Sequence, residues 1–560
     1  MPGLYGRQKS CPEFSTEPLL SWEYRVIIIS INSYLLRRKY CLQEELVDIS
    51  GGYYWFLADM EIIKSKSELA EYLHDESRLS GKAEYLVFAR SEADIQEAVN
   101  YCRKHELALT IQGSRTGITG GSVPKSGMIL NLEKMNKIKG IRQDAEGNYH
   151  LRCEPGLKLA ELREVLNSRQ YDTSGWTAEE KSVWQEFTRA RRYIFPPDPT
   201  ETSASLGGMA SCNASGARSY KYGATRKWIS MLKTIDMQKQ QNKLNLTDLQ
   251  IRLPAKGVKN ATGYYLGGDS RDFDIYIGAE GTLAVITELE IKLIPRPAHC
   301  WGVLQFFNNE PAVIDFCEVL KLLEYRASAI EYFDNNALLL LRDNRQLWES
   351  LPELQDSWKF AIYYEFEGDD ADILENAIFT AGDRAEEFGS GETDCWFIDT
   401  EAGIEHFKEF RHAVPEAINK ELDKIRKDDP RISKISTDLA LPAGCLGQIL
   451  KLYRQAEEQG WRVIVFGHIG NNHLHTNILP EDHQRWQAGK ALVKSWAEAA
   501  VKLGGSVSGE HGIGKTKRDL LRLMYGEEGL TVFKNIKEHF DPRWMLNRGN
   551  IIEWKQIPGD

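Results

Sequence analysis

The sequence predicts a mixed α+β protein of several domains, and three observations carry that prediction. Residues 85–166 alternate strand-like and helix-like segments around a glycine-dense loop. Near Pro295–Pro297 the glycines thin out and a strand–helix–strand grammar begins. The C-terminal stretch 461–560 then combines helices with two turns rich in glycine and histidine. A chain of 560 residues has room for about three domains, each with its own core.

Each element follows from its apolar period. Tyr85–Ala89 reads as a strand, and Glu92–His105 as a helix because Ile95, Val99 and Cys102 recur on one face. Leu107–Gln112, Met128–Leu132 and Tyr149–Cys153 read as strands, and Leu157–Leu166 as a helix. The polar stretch between Asn167 and Phe195 reads as a surface helical insertion, and Gln238–Thr247 as a charged hairpin tip. Beyond Pro297, strands are expected at Trp301–Phe307, Ala327–Phe333, Trp358–Phe366, Cys395–Asp399 and Ile432–Asp438. Helices are expected at Val313–Leu323, Ala371–Glu387 and Glu401–Arg426, giving an antiparallel sheet backed by helices on one face. Helices Leu446–Gln459 and Glu481–Leu503 flank the C-terminal turns. The expected boundaries are an N-terminal extension and leading helix at 1–79, a first domain at 80–297, a cap at 298–460 and a C-terminal segment at 461–560.

Composition narrows the function classes. With 42% hydrophobic and 27% charged residues the chain is a folded globular protein, and its charge of −11 argues against nucleic-acid binding, which needs basic surface. Nine scattered cysteines with no CxxC pair are the usage of a reducing compartment and exclude a zinc finger, so a cytoplasmic protein is expected. Residues 24–41 mix apolar and basic residues, but the run Val26–Ile31 falls far short of the roughly 20 residues a spanning helix needs. At most, peripheral contact with the inner membrane is expected.

Two kinds of motif carry chemistry. The first is the glycine loop Gln112–Gly121, whose amides can turn toward an anion and whose Ser114, Thr116 and Thr119 add hydroxyls. It lacks the helix of a GxGxxG fingerprint and the GK[ST] of a Walker loop. Pro196–Gly223 is a stiff, small-residue stretch able to press backbone against a flat ring, and Gly278–Glu288 places a tight turn before an apolar strand. The second kind is the pair Phe466–Ile478 and Ser508–Arg518, where histidines and Glu510 offer what a divalent cation binds and histidine offers a base. On a regular strand His473 and His475 would share one face and His468 the other.

In order and wording these elements resemble the vanillyl-alcohol-oxidase flavoprotein superfamily. From Tyr85 to Ile552 the closer resemblance is to its FAD-linked oxidase branch of D-lactate, glycolate and D-2-hydroxyglutarate dehydrogenases. The fold implied is a two-subdomain FAD-binding domain, an antiparallel-sheet cap and a helical C-terminal segment. The resemblance implies that Gly113, Ser114, Arg115, Thr116, Gly117 and Gly120 cradle the FAD diphosphate. It gives Pro197, Asp198, Thr202, Gly207, Gly208, Asn213 and Gly216 to the flavin and ribityl chain, and Glu280, Gly281 and Ile286 to the adenine side. The first loop contains no histidine, so the FAD is expected to be non-covalent.

The family pattern GHxGDGNxHxN implies His468 and His475 as metal ligands, which requires a turn at Gly470–Asn472. Glu510 would complete the set and His511 would be the base. His473 departs from the pattern and reads as a surface residue, with a spare ligand as the alternative. Zinc is the first expectation for the metal, with iron or manganese as alternatives. Arg411, with Asn477, would orient the substrate carboxylate. Pro415 replaces a threonine of the hydroxyglutarate enzymes, and KISTDLALP holds no lysine in clear register, which favours a D-lactate-like substrate. The resemblance implies hydride transfer from a small 2-hydroxy acid and reoxidation by a quinone, a cytochrome or an electron-transferring flavoprotein. A homodimer is compatible with it. The alternatives are a D-2-hydroxyglutarate or glycolate dehydrogenase, a non-catalytic flavin subunit, and an alkyl-transferring ether-lipid synthase.

Overall fold

The computed structural model describes residues 46–49, 52–57, 60–64, 66–237, 253–267 and 271–553. The basic-apolar stretch 24–41 and the expected hairpin tip Gln238–Thr247 lie outside the described residues. The chain divides at Ile62/Ile63 into two units. In the first, Leu46–Ile49 and Gly52–Leu57 pair antiparallel. The second runs from Ile63 onward.

Three parallel strands, β1 (Tyr85–Phe88), β2 (Leu109–Gln112) and β3 (Met128–Asn131), form a sheet in the order β1–β3–β2. Helix α1 (Glu92–His105) makes the crossover that a parallel pair needs. Its start is written locally: Ser91 accepts from the Asp94 amide while Asp94 reaches back, a reciprocal capping box. Ile95, Ala98, Val99 and Cys102 are buried along one face, as the period required. The glycine loop leaves the carboxyl end of β2, where open α/β sheets bind ligands.

A second sheet is antiparallel, built from β4 (Ile138–Gln143), β5 (Tyr149–Cys153), β6 (Ile229–Asp236) and β7 (Ala284–Lys292) in the order β6–β7–β5–β4. Its core takes in α2 (Leu159–Ser168), α3 (Ala178–Arg189) and α4 (Leu206–Cys212). Here the surface insertion expected at 167–195 needs correction. Trp176, Trp184 and Phe187 are buried in that core, and the Trp176 indole N–H donates to the Ile138 carbonyl at 3.1 Å. Only the polar side of α3 faces out, so its charged residues masked the buried pair Trp184 and Phe187.

The cap is an antiparallel sheet in the order β11–β8–β10–β9–β14–β15–β12, with β13 also pairing β15. In chain order its strands are β8 (His299–Phe307), β9 (Ala329–Phe333), β10 (Phe360–Gly368), β11 (Cys395–Ile398), β12 (Ile435–Ser436), β13 (Leu439–Ala440), β14 (Arg462–Gly467) and β15 (His473–Leu479). The continuous strand expected at Ile432–Asp438 is instead two short pieces, β12 and β13, broken at Thr437–Asp438. Strands β14 and β15 belong to the C-terminal stretch, which therefore completes the cap sheet.

Helices cover both faces of this sheet, not one. Ile330, Tyr332, Ile362 and Tyr364 pack toward α5 (Glu310–Leu322) and α7 (Ala371–Glu387). Their strand neighbours Phe333, Ala361 and Tyr363 pack toward α6 (Asn335–Asp343) and α8 (Glu401–Asp428). Both registers of these strands are apolar, the pattern of a sheet covered on two sides. The α8 side turns polar at one end, where Glu331 and Glu365 share a face with Tyr363. That end is the site.

Candidate active site

A cavity of about 470 Å³ opens between the glycine loops and the polar end of the cap sheet, inside the range usual for small-molecule sites. Its walls include Gly113, Ser114, Arg115, Thr116, Gly117, Gly207, Gly208, Gly216, Glu280, Gly281 and Ile286. Across from them stand Arg411, His468, His475, Asn477, Glu510 and His511. The structure thus brings together two sets of expected residues that lie hundreds of positions apart. Gly120, Pro197, Asp198, Thr202 and Asn213 do not line it. They shape the loops behind the wall: Asp198 pairs with Arg163 at 2.6 Å, and Asn213 takes positive φ and accepts from the Arg226 amide at 2.9 Å.

The glycine side fits a nucleotide cofactor. A Cβ on Gly117 would meet nothing within 4 Å, so this backbone faces open space. Among the described residues Ser114 Oγ and Arg115 Nη1 are buried without a hydrogen-bond partner, donors ready for an anion. Arg115 is itself held over the Tyr72 ring and ion-paired to Glu71 at 3.1 Å. Gly216 approaches the Asp198 carbonyl so closely that a Cβ would stand 1.8 Å from it. Glu280, buried and in positive φ, uses its carboxylate to accept from the Ile513 and Gly514 amides at 2.6 and 2.7 Å. Burial raises its pKa to about 7 although those amides pull it down. It therefore ties the third loop to the turn that carries His511.

The histidine side fits a cation. The required turn is present: Ile469–Asn471 form a 3₁₀ turn and Asn472 takes φ 51°. It carries His468 and His475 to the same carboxylate, each with Nε2 3.1 Å from Glu510 Oε1. Two histidines and a carboxylate are a donor set for a divalent cation. The other oxygen of Glu510 accepts from Ser215 Oγ at 2.8 Å and Lys259 Nζ at 2.5 Å. Burial works against the charge on Glu510, yet Lys259 and His468 hold its pKa well below the usual range. His468 Nδ1 lies 2.7 Å from Glu331 Oε1; burial opposes its protonation, but Glu331 and Glu510 raise its pKa to about 9.

His511 is oriented by Asp438, a fully buried carboxylate. Asp438 Oδ2 lies 3.2 Å from His511 Nδ1 and also accepts from the His511 amide, Ser508 Oγ and Lys517 Nζ. The other ring nitrogen, Nε2, faces Glu510 Oε1 at 3.8 Å. His473 is not the surface residue expected: it is 0% exposed, with Nε2 2.7 Å from Asp438 Oδ1. Strand β15 turns it inward beside His475.

Arg411 lines the cavity with its Nε buried and unpartnered, its guanidinium over the Tyr363 ring. It lies in α8 four residues before Pro415, which cannot supply the helical amide to the Arg411 carbonyl. Asn477 Oδ1 is also buried without a partner. Lys434, for which the sequence offered no register, lines the same cavity, as does Pro415. Sequence reasoning missed Ser215, Lys259, Glu331 and Asp438. Only Glu331 and Asp438 left a signal, each an acid set among apolar strand residues (SAIEYF and STDLAL).

Comparison with known proteins agrees with this geometry. Residues 83–178 match the family described as FAD binding domain, and residues 297–551 match FAD linked oxidases, C-terminal domain. A D-lactate dehydrogenase of Anaerostipes hadrus is 29% identical, over 86% of this chain and 92% of its own length. A D-2-hydroxyglutarate dehydrogenase of Stutzerimonas stutzeri is 26% identical, over 83% of this chain and 90% of its own. An alkyldihydroxyacetonephosphate synthase structure superposes with a TM-score of 0.58 at 14% identity, covering 92% of this chain and 84% of that one, which shows a shared fold. With both matched domains in this order around one cavity, the chain carries the two domains of an FAD-linked oxidase and is an FAD-dependent oxidoreductase.

Proposed function

We propose that the protein dehydrogenates a small D-2-hydroxy acid of the D-lactate type to its 2-oxo acid. The observation that carries this reading is one cavity holding the FAD loops, an Arg411 whose Nε has no hydrogen-bond partner among the described residues, and the histidine–glutamate cluster together. The similarity to enzymes named for D-lactate and D-2-hydroxyglutarate supports the substrate class.

The roles follow from position. The glycine loops would hold FAD non-covalently, giving an acceptor for the hydride from C2, and His468, His475 and Glu510 would hold a divalent cation whose Lewis acidity would act on the hydroxyl. Arg411 receives the substrate carboxylate in its planar fork, and Asn477 orients it. His511 takes the hydroxyl proton at Nε2, because Asp438 engages Nδ1 and fixes the tautomer. Glu331 and Lys259 hold His468 and Glu510 from behind. Electrons leave to a separate carrier, a quinone, a cytochrome or an electron-transferring flavoprotein.

A second reading has its own observation. Lys434 lines the cavity with no carboxylate partner among the described residues, which favours a substrate with a second anionic group. Anaerobic bleaching of the flavin by a panel of D- and L-2-hydroxy acids, with one and two carboxylates, tests both. Bleaching by D-lactate, slowed by prior chelation, is the expected result. Failure of every 2-hydroxy acid would reject the reading, and bleaching indifferent to chelation would remove the cation from it.

A further inference from the structure

We infer that His473 is a further nitrogen donor to the divalent cation, alongside His468, His475 and Glu510. The inference rests on the metal-assisted reading above and goes beyond the three ligands that the family pattern implies.

A carboxylate accepts hydrogen bonds only, so the His473 nitrogen facing Asp438 Oδ1 at 2.7 Å must carry the N–H. In a neutral imidazole the lone pair then sits on Nδ1. That Nδ1 is buried and has no hydrogen-bond partner among the described residues. A bare lone pair in the interior is costly unless an electron-pair acceptor meets it.

The surroundings say which acceptor. His473 presents a ring nitrogen within 4.8 Å of the donor atoms of His468, His475 and Glu510. Its ring centroid is 4.7 Å from that of His475 and 5.4 Å from that of His468. Imidazole rings that share one cation at bond lengths of about 2.0–2.2 Å stand at comparable centroid separations. A carboxylate on one ring nitrogen and a cation on the other is how ligating histidines are characteristically held. Asp438 would then serve two histidines: His473 through Oδ1 and His511 through Oδ2.

The donor set also bears on the identity of the cation. Three imidazoles and a carboxylate fill the four places zinc usually offers. A cation that accepts six donors, such as iron(II), manganese(II) or cobalt(II), keeps two places for the hydroxyl and one carboxylate oxygen of a 2-hydroxy acid. The fourth protein ligand therefore favours the iron or manganese alternative over zinc.

The test uses the full chain, stripped of metal and titrated with Co2+. X-ray absorption on the Co2+-loaded wild type should count three imidazoles; two would overturn the inference without any variant having to fold. By calorimetry His473→Asn should bind Co2+ at least tenfold more weakly, with flavin content and circular dichroism unchanged. His468→Asn is the control. If His468→Asn loses Co2+ while His473→Asn stays within twofold of wild type, His473 is not a ligand and the metal-assisted reading stands. A wild type that takes up no Co2+ overturns that reading, and His473 with it.

Discussion

On the side of residues 113–121 and 205–216 the cavity is walled by backbone and small side chains, whereas on the side of 466–477 and 508–511 it is walled by imidazoles and carboxylates. The first wall works through what is missing. At Gly216 the neighbouring Asp198 carbonyl leaves no room for a single carbon, and no rotamer can relieve that. The second wall works through charges set from a distance: Glu331, Lys259 and Asp438 each hold a group of the site from another part of the chain. Hence the glycine wall should tolerate changes of charge but not of volume, and the histidine wall the reverse.

The largest expected effect comes from the histidine wall. His511→Ala should lower kcat by about 10²–10⁴, the usual worth of a positioned base, while flavin absorbance stays at the wild-type level. Loss of flavin together with turnover would show that the two walls do not act separately. Next comes Gly216→Ala, where overpacking of about 1–3 kcal/mol should weaken FAD binding roughly 5- to 150-fold. Equilibrium dialysis of FAD reads this directly, and an unchanged affinity would break the contrast. The smallest effect sharpens the substrate side. Lys434→Met should raise KM for acids with a second carboxylate about tenfold, equivalent to about 1.4 kcal/mol, and leave D-lactate unchanged. Desolvation in the cavity wall, aided by Arg426 and Arg78, lowers the Lys434 pKa to about 8. Its charge is present below that value and lost above it, so any preference for a second carboxylate should fade as pH rises past about 8.

How much of this was legible follows from the same contrast. The glycine loops are contiguous, so the chemistry of a close backbone approach is written within a few residues. His468 and His475 were legible for a similar reason, because the turn that unites them is spelled by Gly470–Asn472 between them. Helix α1 was readable to the residue, since its cap and its apolar face are both local. What stayed hidden depends on distance along the chain. Lys259 meets Glu510 across 251 positions and Glu331 meets His468 across 137, and neither side chain has a neighbour in sequence that announces its partner. His473 misled because a departure from a motif looks like lost function, whereas Asp438 gives the new imidazole a partner. The insertion near Trp176 misled for an energetic reason: a few aromatic side chains outweigh many charged ones, and α3 lies down on the sheet.

The grip of Glu280 on Ile513 and Gly514 has a consequence in time. It closes loops of 233 and 234 residues, and the side-chain amides of Asn547 and Asn550 then reach back to the Glu280 carbonyl. A ribosome delivers the chain from its N-terminus, so the shelf for the cofactor emerges well before the turn that carries His511. Until that turn arrives, Glu280 lacks the donors that justify its burial, at a cost of about 1–3 kcal/mol. Docking of the turn restores those donors in the same event that brings His511 to the cavity. The nascent protein therefore gains its reactive groups only when the shelf that will hold the flavin is already in place.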